Sequence, residues 1–298
     1  MGGKKLVILA AVNGGAQLDR EGAQVPTTPA EIAEAAFECH KAGASVVHIH
    51  ARAEDKGPTG DPKVFADIIK RIRDKCGILI QTTNGLGVRV DRDTGRYIWP
   101  TDEQRLALLS LEPKQDLLSI AAGSWDFYHP GGGYKGTTPY VNSEDLLQKN
   151  IKAVHKRGAS LEFEITEASM LYKLDRYVNE GIFDRSSKHF WLDYCLGFGA
   201  MPPTARTLAL AVEDGQRLFP NAKWQVLATD KDQFPMNTIG LLMGCDIVRV
   251  GFEDNIYLPN GEPAKRNYQL VEAMADIARR FGREPATVAE ARTVFGIN

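Results

Sequence analysis

The stretch Thr28-Pro29-Ala30-Glu31-Ile32-Ala33-Glu34-Ala35-Ala36-Phe37-Glu38-Cys39-His40-Lys41-Ala42-Gly43-Ala44-Ser45-Val46-Val47-His48-Ile49-His50-Ala51-Arg52 holds one unit of the chain's construction. Threonine stands where a helix cap belongs. Proline follows at the first helical position, and glutamate comes three residues after the cap. The helix is expected through Ala42, with Gly43 as its C-terminal glycine. Ser45–Ala51 then reads as a strand, apolar enough to be buried on both faces.

The same alternation runs outward in both directions. Upstream, Lys5–Val12 is a short apolar run of strand type. Downstream, Asp61-Pro62 opens a helix that ends near Cys76-Gly77, and Ile78–Thr83 is the next strand. Helices are expected at Thr101–Leu111, Ser143–Arg157, Met170–Asn179, Thr204–Leu218, Phe234–Met243 and Pro263–Phe281. Strands are expected between them at Leu117–Ala122, Leu161–Ile165, His189–Leu196, Trp224–Ala228 and Asp246–Gly251. Pro285–Phe295 forms a short tail helix. Eight strand–helix units predict an α/β fold whose parallel sheet closes into a (β/α)8 TIM barrel. The alternative is an open doubly wound sheet. Asn13-Gly14-Gly15-Ala16, after the first strand, lacks the G-x-G-x-x-G spacing that such a sheet usually carries there. No linker or composition break divides the chain, so residues 1–298 read as a single domain with a tail helix. The glycine-rich loop Pro130–Gly136 reads as a surface excursion.

Composition excludes several classes. Of 298 residues, 36 are lysine or arginine and 38 aspartate or glutamate, a net charge of −2. A hydrophobic share of 43 % with 25 % charged residues is too apolar for a disordered chain. The charge balance lacks the basic excess of a nucleic-acid binder. Cysteines stand at 39, 76, 195 and 245 with no Cys-x-x-Cys pair, and read as buried, reduced thiols. No run approaches the ~20 apolar residues of a membrane span. The expectation is a cytoplasmic protein with neither nucleic acid nor membrane as partner.

In a barrel of this kind the active site lies at the C-terminal strand ends. The second strand carries His48-Ile49-His50. Side chains alternate along a strand, so both imidazoles face the same side. With Val47 and Ile49 toward the helices, they point into the barrel mouth and can share a divalent metal. Alone, the pair reads first as two hydrogen-bonded histidines in a half-polar strand. The eighth strand ends Val248-Arg249-Val250-Gly251-Phe252-Glu253-Asp254-Asn255. Closure puts this strand beside the first, which neighbours the second, so Glu253 can reach His48 and His50. Two histidines and a carboxylate form a zinc set with an open position. Other strand ends offer Gln81-Thr82-Thr83-Asn84-Gly85, Ser119, Glu162 and Glu164. Lys231, after the seventh strand, reads as a solvated loop lysine.

Ala10-Ala11-Val12-Asn13-Gly14, His48-Ile49-His50-Ala51-Arg52, Gln81-Thr82-Thr83-Asn84-Gly85 and, above all, the stretch 248–255 resemble the β-keto acid cleavage enzyme family. The tail Gly282–Arg292 is similar to that family's C-terminus. The resemblance spans Leu6 to Gly296. It implies a zinc-dependent Claisen-type exchange in which a β-keto acid and acetyl-CoA give acetoacetate and a new acyl-CoA. It implies one divalent metal per chain, held by His48, His50 and Glu253. Asp254 is then the base and Arg249 orients it. Glu164 matches the family's fifth-strand catalytic glutamate. Thr83, Asn84, Gly85, Ser119 and Asn13 match substrate-binding positions. A homotetramer is also implied.

Two departures stand out. Gly15-Ala16-Gln17 replaces a carboxylate suited to an amino substrate, so a β-keto acid other than the 5-amino one is expected. Asp230-Lys231 stands where the family commonly has Gly-Arg, and lysine lacks arginine's planar fork. Trp125, Phe127, Tyr128 and Tyr134, in the insertion Ser124–Gly136, are expected to shape the pocket wall. A different enzyme class, a metal-dependent hydrolase of the amidohydrolase type, needs the histidine pair on the first strand and more histidines at the ends of strands five and six. Here His189 begins its strand. A non-catalytic metal-binding barrel has no need of Asp254 beside its metal.

Overall fold

The computed structural model describes residues 3–15, 22–91, 93–94, 96–128 and 138–297. Eight parallel strands close into a barrel. They are β1 (Val7–Ala11), β2 (Val46–Ile49), β3 (Leu79–Thr83), β4 (Leu117–Ala121), β5 (Ser160–Ile165), β6 (Phe190–Leu196), β7 (Lys223–Ala228) and β8 (Ile247–Val250). Helices α1 (Pro29–Ala42), α2 (Pro62–Lys75), α3 (Asp102–Ala107), α4 (Glu144–Arg157), α5 (Ser169–Asn179), α6 (Ala205–Leu218), α7 (Gln233–Met243) and α8 (Asn267–Arg280) follow the strands in turn. The tail helix α9 covers Val288–Phe295. Gln17, Tyr134 and the loop Pro130–Gly136 lie outside the described residues.

Local chemistry explains the unit first quoted. Thr28 and Glu31 form a reciprocal capping box, and Gly43 closes α1 with φ 115°. The strand that follows is shorter than its sequence suggests. β2 ends at Ile49 because Asn13 takes over the backbone of His50. Its Oδ1 accepts from the His50 N–H at 3.0 Å, and its Nδ2 donates to the His50 carbonyl at 2.9 Å. One side chain thus replaces a missing length of strand. Ala51–Arg52 then pairs antiparallel with Pro58–Thr59 instead of extending the barrel. The helix expected over Thr101–Leu111 is α-helical only to Ala107 and tightens to a 3-10 turn at Leu108–Ser110. The helix expected from Pro263 begins at Asn267, since Pro263 is held in a bridge with Tyr257.

Every second strand residue faces the barrel interior. The lower interior is apolar and built from Val7, Leu9, Val46, Leu79, Leu117, Trp191 and Ile247. The tail helix packs against it from below. Leu6 bridges Pro285, and the Phe295 and Trp191 rings lie 4.7 Å apart. Above this layer the interior turns polar: Gln81, Ser119, Glu162, Asp193, Gln225 and Arg249 are all buried. Cys39, Cys195 and Cys245 are buried free thiols, and Cys76 is half-buried. No helix among the described residues is long and apolar enough to cross a membrane.

Candidate active site

Strand register brings the donors together. On one side of β1, Ala11 pairs with His48, and on the other Leu9 pairs with Arg249. β8 stops at Val250, and Gly251 turns with φ 141°. A Cβ there would stand 2.2 Å from the Ala11 carbonyl oxygen, so only glycine fits. The turn carries Glu253 over the end of β1, where its N–H donates to that same carbonyl at 3.0 Å. Gly14 makes room for it, because a Cβ at Gly14 would lie 2.7 Å from Glu253 Cγ.

The result is a convergence of three ligand atoms. Glu253 Oε2 lies 3.4 Å from His48 Nε2, and Oε1 lies 3.3 Å from His50 Nε2. The two Nε2 atoms are 3.2 Å apart. His48 Nδ1 lies 2.7 Å from Gln81 Oε1, and His50 Nδ1 lies 3.2 Å from the Leu86 carbonyl. Carbonyl oxygens only accept, so each Nδ1 carries its ring's proton and each Nε2 presents a lone pair. Burial presses the His48 pKa down to about 3, which keeps that imidazole neutral. Burial pushes the Glu253 carboxyl upward, yet the Arg249 guanidinium beside it holds it well below the usual carboxylate range. Two lone pairs and a carboxylate crowded together repel one another, and a divalent cation at their meeting point removes that repulsion. The donor set therefore fits such an ion, with a position left open. Among the described residues this is the single group of three His, Cys, Asp or Glu placed to hold a metal.

Gln81 is the residue that sequence reasoning undervalued. It pairs with His48 across the β2–β3 register. Its amide nitrogen donates to Glu162, which also accepts from Gln225 at 2.8 Å. The chain Gln225–Glu162–Gln81–His48 thus aims the first imidazole of the donor set. Burial, then the nearby Asp193, raises the Glu162 pKa well above normal. Gln81→Met removes the acceptor that orients His48 while keeping side-chain volume. Metal affinity is expected to fall about 10–100-fold, measured by competition with a chelator.

Arg249 links the two acids of the last strand. Its Nε donates to Asp254 Oδ2 at 2.8 Å and its Nη2 to Oδ1 at 3.1 Å. The same Nη2 lies 3.1 Å from Glu253 Oε1. Burial opposes the guanidinium charge, but Asp254 and Glu253 more than offset it and hold the group cationic. On β5, Glu164 accepts from Ser119 Oγ at 2.6 Å, and burial raises its pKa to about 7.

One cavity gathers His48, His50, Thr83, Gly85, Glu164, Arg249, Glu253 and Asp254. Ser119 acts behind it, through Glu164. The structure places Asn13 and Asn84 elsewhere. Asn13 is committed to the backbone of His50 and Pro26, and the buried Asn84 donates to Asn150 Oδ1. Neither is among the residues that line the cavity. Lys231 is exposed and stands 5.4 Å over the Tyr257 ring. Trp125 and Phe127 do line the cavity, joined by Trp99, Tyr140 and Phe198, which no local spacing announces. Tyr128 faces solvent, at 42 % exposure.

Comparison with known proteins agrees with this layout. Residues 5–297 match the family model described as beta-keto acid cleavage enzyme. A 3-keto-5-aminohexanoate cleavage enzyme from Fusobacterium nucleatum subsp. nucleatum is 33 % identical over 294 residues, 99 % of this chain and 98 % of that protein. A 3-oxoadipate:acetyl-CoA acetyltransferase from Cupriavidus necator is 30 % identical over 293 residues, 98 % of this chain and 94 % of that protein. The solved apo structure of ObcA superposes with a TM-score of 0.76 at 18 % identity, covering 92 % of this chain and 65 % of that one, which shows a shared fold. From the barrel, the donor set at its mouth and the match along almost its whole length, the chain belongs to the β-keto acid cleavage enzyme family.

Proposed function

We propose that this chain is an acyltransferase that cleaves a carbon–carbon bond, exchanging a β-keto acid with acetyl-CoA to give acetoacetate and a new acyl-CoA. The observation that carries the reading is the joining of the His48–His50–Glu253 donor set to an arginine-clamped carboxylate in one cavity. The names of the relatives, which include acetyl-CoA transferases, support it. His48, His50 and Glu253 would hold one divalent metal, zinc by the chemistry of the set. Bound there, it supplies Lewis acidity to the keto oxygen.

The chain's own residues account for the proton traffic. Asp254 accepts a proton from the methylene between the keto and carboxylate groups. Arg249, donating to both its oxygens, holds it aimed. The resulting carbon attacks the acetyl carbonyl and displaces the CoA thiolate. The thiolate then adds to the original keto carbon, the old carbon–carbon bond breaks, and Asp254 returns its proton to the acetoacetate carbon. Atoms and charge balance without any other reactant. Glu164, with its pKa of about 7, can hold or release a proton near neutrality within the same cavity. Thr83 and Gly85, at the end of β3, contribute a hydroxyl and open backbone to the lining.

Enzyme incubated with acetyl-CoA and a panel of β-keto acids is expected to release acetoacetate and the matching acyl-CoA in equal amounts, followed by mass spectrometry. Hydrolysis of either compound without acyl exchange would overturn the reading.

A further inference from the structure

One side of the cavity is built from five aromatic rings: Trp99, Trp125, Phe127, Tyr140 and Phe198. They come from three different excursions of the chain, after β3, β4 and β6. Their packing is mutual. Trp99 meets Phe127 edge-on at 5.6 Å and Tyr140 edge-on at 5.1 Å. Trp125 lies 4.4 Å from Tyr140 and 6.2 Å from Phe198. The short strand Trp125–Phe127 sends its outer two side chains inward and leaves Asp126 exposed.

Phe198 is placed there at a cost. Its φ is 44°, between Gly197 at 94° and Gly199 at 89°. A phenylalanine in left-handed backbone stores strain, and such strain gathers at functional sites. The Phe198 carbonyl accepts from the Tyr128 N–H at 3.1 Å, which fastens the β6 loop to the β4 excursion and presses the ring onto the wall.

Among the described residues, these five rings bring no charged side chain of their own into the cavity lining. Among the described residues the lining carboxylates are Glu164, Glu253 and Asp254 and the lining cation is Arg249; Arg249 ties Glu253 and Asp254 to the proposed metal end, and Glu164 is held by Ser119 Oγ. Nor is the wall an ammonium cage. Such a cage turns several free ring faces to a common centre, whereas Trp99 packs its neighbours edge-to-face. The buried Arg105 guanidinium already lies 4.9 Å from the Tyr140 ring centroid. A second cation at Tyr140 would be repelled. Arg105 is not free for an acidic tail either, since it contacts Asn84, Val141 and Asn142 and lies 3.7 Å from Asp102.

We infer that this wall selects β-keto acids whose chain ends in an uncharged apolar group, aromatic or branched alkyl, over those ending in an amine, a quaternary ammonium or a carboxylate. The inference rests on the proposed reaction for its substrate class, but its test does not depend on turnover. Quenching of the indole fluorescence by unreactive acids reads binding directly, without acetyl-CoA. 4-Phenylbutanoate and 5-methylhexanoate are expected to bind at least about tenfold tighter than 5-aminopentanoate, 4-(trimethylammonio)butanoate or glutarate. Phe198→Ala keeps the Cβ and the backbone hydrogen bond from Tyr128 and removes only the ring, and it is expected to cut that preference several-fold. Trp125→Leu is expected to do the same. Equal or tighter binding of any charged acid, or an unchanged preference in Phe198→Ala, would overturn the inference. Absence of acetoacetate from every β-keto acid would overturn the proposed reaction and leave this binding order to be read on its own.

Discussion

Asp254→Asn is expected to lower kcat about 10²–10⁴-fold while leaving the bound metal and the fold intact. The amide keeps the shape of the carboxylate, and its oxygen can still accept one of the two bonds that Arg249 donates at 2.8 and 3.1 Å. What it loses is basicity. The proposed metal donors are His48, His50 and Glu253, none of which is altered. A variant that lost metal and activity together would show Asp254 to be structural. A variant with its metal retained and activity within a few-fold of wild type would place the base elsewhere, with Glu164 as the next carboxylate in the cavity. The decisive pair of measurements is metal content by elemental analysis and kcat by acetoacetate release.

Arg249→Met is expected to abolish activity and to destabilise the protein by about 3–5 kcal/mol. The guanidinium is 2 % exposed and holds Asp254 and Glu253 at once. Methionine fills much of the volume but leaves two carboxylates without their cation, close to the half-buried Glu164 and the buried Glu162 and Asp193. The sign of the pH dependence follows from Glu253, whose pKa is held well below its ordinary 4.5. A depressed carboxylate contributes stability above its unfolded pKa and loses that contribution as pH falls through its folded pKa. The variant lacks the depression. The gap between wild type and variant is therefore widest above about pH 5 and narrows on acidification. Denaturant melts of the metal-free proteins at pH 7.5 and at pH 4 would show it. A gap constant with pH would mean that the loss is one of packing rather than of charge.

The barrel was legible because its signals are local. The Thr28–Glu31 box, the proline after Asp61 and the glycines at 43, 158 and 244 each act within a few residues. The placement of His48 and His50 was legible from the period of a strand, and that of Glu253 from closure alone, since a closed sheet makes β8 a neighbour of β1. What escaped was whatever depends on partners distant in sequence. Gln81 and Glu162 stand 81 residues apart, and nothing near either announces their bond. The aromatic wall draws Trp99, Tyr140 and Phe198 from separate loops, and each alone reads as an ordinary core or surface ring. Asn13 sits in a stretch that suggested contact with substrate, but its amide has the right shape to imitate a strand and is occupied with the backbone of His50.

The tail helix has a further consequence at the opposite pole of the barrel. Trp191 and Phe295 are 0 % and 1 % exposed, so their packing floors the barrel beneath the polar layer. The buried acids Glu162 and Asp193 lie above that floor, and Glu164, which lines the cavity, faces the mouth. A substrate seated there works as a stopper. While it stays, it stands between Glu164 and bulk water.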